Sequence, residues 1–223
     1  MIGRLLIGGL PARRRTRSRA PGWPTAPPPP DHPPLTGAEV AEAERELGIR
    51  FPPAYRSYLL DVSAGGLLHR LERGPAGWWW AGNPDTRRDL LPAPFPHPDS
   101  YVEADAALWD RFPREGDFPD EAACRTARQA WAEAEADGFE DRKTAGSVVL
   151  QDNGCGFSTL LALTGPLAGT VWWDGRATCG LIVPLSPDHP GGAPPLSFGQ
   201  WRELGLRDLS HLLPPDWGRP AQL

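Results

Sequence analysis

Apolar side chains recur at helical spacing in some stretches of this chain and at strand spacing in others. Thr36, with Glu39 three residues on, forms a capping box that satisfies two otherwise orphaned backbone amides. Leu35 and Val40 occupy the positions of a hydrophobic staple. Val40, Ala43 and Leu47 then share one face, and Gly48 supplies the stop, so a first helix ends there. Pro52 and Pro53 make a stiff elbow, with Pro53 at the start of a second helix over 54–62. Tyr55, Leu59 and Val62 line its inner stripe, with Tyr58 beside them. The pattern predicts two helices joined by a short, rigid connection.

Strand periodicity takes over in two regions. Over 66–80, Leu67, Leu68 and Leu71 precede a Gly74-Pro75 turn, and Trp78, Trp79 and Trp80 follow it. Neighbours on a strand alternate, which puts Trp78 and Trp80 on one face and Trp79 on the other. The stretch SVVLQDNGCGFSTLLALTGPLAGTVWWD over 147–174 reads as strand, tight polar loop, strand, Gly-Pro turn, strand. Phe157, Thr159, Leu161 and Leu163 point one way and Leu160 and Ala162 the other. A strand that is apolar on both faces lies inside a sheet. One face is expected to meet the helices, and the other is the first place to look for a partner. A last strand is expected within 179–185.

Between these regions, 81–119 is rich in Pro, Asp and Arg, with a short helix expected near 102–111. A clear helix covers 120–137, with Cys124, Ala127, Trp131 and Ala134 on its apolar stripe and Gly138 as its stop. Ser197 with Gln200 repeats the capping box and opens a terminal helix carrying Phe198, Trp201 and Leu204. The sum is an α+β fold: an N-terminal helix pair, a mixed but mainly antiparallel sheet of about five or six strands, and helices on one face. Residues 1–34 are expected to be a disordered Arg/Pro-rich leader. Residues 35–213 form one domain, with 81–146 a less regular insertion, and 214–223 form a loose tail.

Composition and charge narrow the function. Ten Trp imply a packed interior despite 25 Gly and 28 Pro. The first 30 residues hold six Arg and no acid, so the remainder carries −11 against a chain total of −5. An acidic globule disfavours nucleic acid and favours basic partners. Lys143 is the sole lysine, which with the Pro, Gly and Ala usage suggests a GC-rich bacterial gene. The apolar stretch at the N-terminus precedes its Arg cluster, the reverse of a secretory signal. No run reaches the roughly 18–20 apolar residues of a membrane span. Three cysteines without paired spacing fit a reducing compartment. The expected location is the cytoplasm.

Candidate chemistry is sparse. The five histidines never fall at metal-binding spacing, and no phosphate loop, dinucleotide fingerprint or hydrolase motif occurs. Neither metal nor cofactor is expected. Cys155, between Gly154 and Gly156 and close to Asp152, is the one residue to consider as a nucleophile. A reactive thiolate needs a cation beside it, and the local charge is negative, which favours a turn or packing role. Trp172, Trp173 and Asp174 suggest a carbohydrate platform, but adjacent Trp residues point to opposite faces, so packing is the simpler role.

LTGAEVAEAERELGIRFPPAYRSYLLDVSAGG resembles the opening of the SUKH superfamily of Smi/Knr-like proteins: an acidic helix ending in Leu-Gly, an apolar residue with prolines, then a helix around a Tyr-Arg pair. Ala64 stands where the family usually has Asn before Gly65-Gly66. The Gly154-Cys155-Gly156 loop before an apolar strand, the Gly169-Thr170-Val171-Trp172 start of the next and the terminal Phe198…Trp201 helix are also similar. The resemblance spans 35–206, interrupted over 81–146. It implies a non-catalytic bacterial immunity protein that neutralises a toxin, often a nuclease, by binding it in the cytoplasm. The rivals are a regulatory scaffold of the cell-wall-control type and a small hydrolase or ligand-binding protein using Cys155 or the Trp-rich face. The residues expected to contact a partner are Trp79, Asp152, Asn153, Trp172 and Asp174.

Overall fold

The computed structural model describes residues 32–83, 86–189, 194–204 and 209–214. The leader up to position 31 and the tail beyond 214 lie outside the described residues. The fold is α+β. Helix α1 (Gly37–Leu47) begins with the Thr36/Glu39 capping box: Thr36 N donates to Glu39 Oε2 at 2.7 Å and Glu39 N to Thr36 Oγ1 at 3.2 Å. Gly48, at φ 70°, closes it in the left-handed region where only glycine is free of strain. Helix α2 (Pro53–Asp61) starts on its proline and buries Tyr55, Tyr58 and Leu59. Val62, expected on that stripe, is 51% exposed, because it lies past the last helical turn and leaves the helical path.

The described strands fall into two sheets rather than one, and every pairing is antiparallel. Strands β1 (Leu71–Gly74) and β2 (Gly77–Trp80) form a hairpin. Strands β3 (Ser147–Asp152), β4 (Ser158–Ala162), β5 (Val171–Asp174) and β6 (Ile182–Pro184) form a four-stranded meander. The split has a local cause. The β3–β4 register slips between Val149 and Gln151, so Leu150 bulges without a partner. Side chains and loop then close the β3 edge. Val149 N donates to Thr86 Oγ1 at 3.0 Å, Asn83 Nδ2 to Val149 O at 2.9 Å, and His69 N to Leu150 O at 2.7 Å. A further strand finds no free edge here.

Both faces of the meander are covered. Val148, Leu161, Val171 and Trp173 face α1, α2, the hairpin and the terminal helix α7 (Phe198–Glu203). Tyr55 is central in this core: its ring meets Phe51 and Phe198 edge-on, and its hydroxyl accepts from Trp80 Nε1 at 2.8 Å. The expected alternation holds, since Trp78 and Trp80 are buried while Trp79 is half-buried. On the other face, Val149, Leu160, Ala162, Trp172 and Ile182 pack under Phe95, with Leu167 beside them.

The insertion forms a third small core. Helices α3 (Val102–Asp110), α4 (Glu121–Trp131) and α5 (Asp137–Lys143) enclose Leu108, Trp131 and Ala136, with Phe112 and Phe139 at the margin. Gly138 does not stop the helix. A π-turn at Ala132–Ala136 adds a residue and carries the path on into α5. The extra residue rotates the stripe, so Ala136 is buried and Ala134 is exposed.

Gly146 sits where the 90–95 segment crosses the start of β3, at φ 64°. An added Cβ would overlap the Ala93 carbonyl and the Thr164 hydroxyl, and would lie 2.7 Å from Phe95 N. Gly146→Ala is expected to lower unfolding free energy by about 3 kcal/mol or more, through left-handed strain plus overpacking against backbone. Urea unfolding followed by Trp fluorescence measures it.

Candidate functional site

The residues expected to meet a partner do not form one surface. Asp152 and Asp174 lie in one cross-strand row through Ser158, two strand spacings or about 10 Å apart. Asp152 is exposed and turned back on its own loop, accepting from Gly154 N at 2.8 Å. Asn153 is half-buried and donates to Thr159 Oγ1 at 2.9 Å. Trp79 donates from Nε1 to Asn83 O at 3.2 Å, and Arg88 lies over its ring at 5.7 Å. Trp172 is 0% exposed, packed against Phe95 and His97 with its Nε1 donating to Thr170 Oγ1 at 2.8 Å. A ring enclosed in this way offers no contact surface. The sheet face proposed for the partner is roofed by the chain's own 91–101 segment.

Asp174 is buried in a chain of charges. The short helix α6 (Arg176–Cys179) follows β5 and turns Arg176 back, so that its Nε donates to Asp174 Oδ1 at 2.9 Å and its Nη2 to Oδ2 at 2.7 Å. The remaining Nη1 donates to the Glu140 carbonyl at 2.6 Å and faces the Glu140 carboxylate at 3.3 Å. Glu140 in turn accepts from Lys143 Nζ at 2.7 Å, and so does Asp105 at 2.7 Å. The sole lysine of the chain is 3% exposed, with the Tyr101 and Phe139 rings beside its ammonium. Burial opposes the charge on Arg176, but the hydrogen bonds and Coulombic pull of Asp174 and Glu140 more than offset it, and its pKa moves up. Burial also pushes the Tyr101 phenol up. Acids and bases are paired throughout, so the network acts as a strut between sheet and insertion.

Cys155 is exposed and held at φ 54° between Gly154 and Gly156, both also at positive φ. The turn is tight because it packs on α6: a Cβ on Gly156 would lie 2.6 Å from Ala177 Cβ. Among the described residues no hydrogen bond or ion pair engages the Cys155 thiol, and no cluster of His, Cys, Asp and Glu has the makings of a metal site. Cys124 is buried on α4, as its stripe predicts. No described helix is long and apolar enough to cross a membrane.

The concentration of charge lies elsewhere. Residues 81–146 hold 15 Asp and Glu against eight Lys and Arg, a net −7. Glu103, Asp110, Asp117 and Asp137 are exposed and enter no ion pair among the described residues. Trp109, in α3 with Glu103 and Asp110, is 49% exposed. Sequence reasoning passed over this residue, because no local pattern separates an exposed Trp from a buried one on a short helix. The acidic helical insertion with its exposed Trp is the candidate protein interface.

Arg176→Met leaves two partly or fully buried carboxylates short of a partner. It is expected to cost about 3–5 kcal/mol, the range for breaking a buried ion pair on one side. The double variant Asp174→Asn/Arg176→Met is expected to recover part of that loss. Thermal denaturation of the two variants and the parent measures both effects.

No protein-family model matches the chain, and neither does any curated protein or solved structure.

Proposed function

We propose that this chain is a non-catalytic binding protein of the immunity type, which neutralises a basic toxin domain by occupying it. The observation that carries this reading is the placement of charge. The acidity is concentrated in the 81–146 insertion, whose helices have a small core of their own, and several of its carboxylates are solvent-exposed and enter no ion pair among the described residues. Such a field raises the encounter rate of a basic partner and repels nucleic acid, as suits an inhibitor that must reach its target first. The motif order similar to SUKH proteins supports the same class, since those motifs frame the core while the insertion is where this chain departs from them. The partner is a protein domain, and the chain needs no cofactor to hold it.

Co-expression with each neighbouring open reading frame tests the reading. One of them is expected to arrest growth alone, to be harmless beside this chain, and to co-purify with it. Raising salt from about 50 to 300 mM is expected to slow association at least about tenfold, as exposed charges are screened. If no neighbouring product is toxic, or if toxicity persists with the chain present, the reading is wrong.

A further inference from the structure

Val102, Ala106 and Trp109 stand at i, i+4 and i+7 along α3 and so form one stripe. All three are exposed, Val102 at 59% and Trp109 at 49%. The buried side of the helix is marked by Leu108. The Trp109 ring is braced from within, since it packs on Phe112 at 5.7 Å and on Trp131 at 5.3 Å between centroids. A large aromatic that is both exposed and held in place loses little freedom on binding, which is the character of an interface anchor.

The rim decides what such an anchor accepts. Glu103 and Asp110 flank the stripe, exposed and without an ion pair among the described residues. Asp105 on the other flank is engaged by Lys143. Of the nearby cations, Arg111 is spent on Glu135 at 2.7 Å and on the Ala107 carbonyl at 2.8 Å, and Arg128 on the Phe112 ring at 5.0 Å and the Pro113 carbonyl at 3.0 Å. The rim is therefore negative around an apolar centre. Phosphate backbones and anionic lipid surfaces are repelled, and so is a second copy of the same acidic face.

We propose that the stripe of Val102, Ala106 and Trp109 is the docking surface for a basic amphipathic segment of a protein partner. The partner's apolar side chains cover the stripe, an Arg guanidinium stacks on Trp109, and further Arg or Lys side chains pair with Glu103 and Asp110. This rests on the reading of the chain as a binder of a basic protein and locates the surface it uses.

The probe is a synthetic 18-residue helical peptide with Leu along one face and Arg on its flanks, titrated into the full chain by fluorescence anisotropy. Micromolar binding is expected, weakened about tenfold or more by Trp109→Ala, the loss typical of a hot-spot anchor. Ala106→Arg, at an exposed helical position that tolerates Arg without refolding, is expected to weaken it equally. A Glu-flanked version of the peptide is expected not to bind. The proposal is overturned if both variants bind within twofold of the parent, if the Glu-flanked peptide binds as well, or if sedimentation shows the free chain pairing with itself through the stripe. The same two variants in the co-expression assay separate the two claims. Protection retained by both variants removes the stripe and leaves the immunity reading intact, whereas no protection by the parent chain removes the immunity reading while the peptide result stands.

Discussion

Arg176 ties the four-stranded sheet to the helical insertion through charge. Its guanidinium reaches Asp174 at the end of β5 on one side and Glu140 in α5 on the other, and Glu140 passes the connection through Lys143 to Asp105 in α3. Buried ion pairs of this kind add little net stability against an apolar filling, but leaving one partner alone is costly. Their effect is on geometry. The helical insertion has its own small core and is fixed against the sheet by directional, charge-assisted bonds. An acidic surface held rigidly presents a defined pattern of charge to whatever approaches it.

A second constraint is the closed edge of β3. The bulge at Leu150 and the side chains of Asn83 and Thr86 use up the hydrogen-bonding groups that would otherwise recruit another strand. This separates the hairpin from the meander, so that Trp78 and Trp80 pack down onto the α1–α2 core instead of extending the sheet. With Phe95 and His97 over Trp172, the meander has no open face. The insertion differs: α3 buries Leu108 but leaves Val102 and Trp109 exposed.

Legibility was uneven, for physical reasons. Both capping boxes, the Pro53 helix start and the alternation of the three Trp residues were readable because each depends on residues within one turn or one strand. The π-turn was not, since the cost of an extra residue at Ala132–Ala136 is balanced by burying Ala136 and by Lys143 reaching Asp105, both tertiary effects. Of the residues singled out for a partner, Trp172 and Asp174 were well marked as unusual. What marked them was a buried role: an aromatic plug under Phe95 and an anchor for Arg176. Trp109 lay in the short helix expected near 102–111, but no periodicity marked its exposure, and only its setting against Phe112 and Trp131 reveals it as a braced, exposed ring.

The amino-acid sequence by itself determined the α+β class, the helix boundaries set by caps and prolines, the faces of β4 and the negative charge of the globule. These are properties of local periodicity, cap chemistry and composition. The tertiary structure alone decided that six described strands divide into two sheets, that both sheet faces are covered, that the sole lysine is buried, and that Trp109 stays exposed on α3. Those outcomes depend on which distant segments compete for the same edge, face or charge, and that competition is resolved only when the whole chain packs.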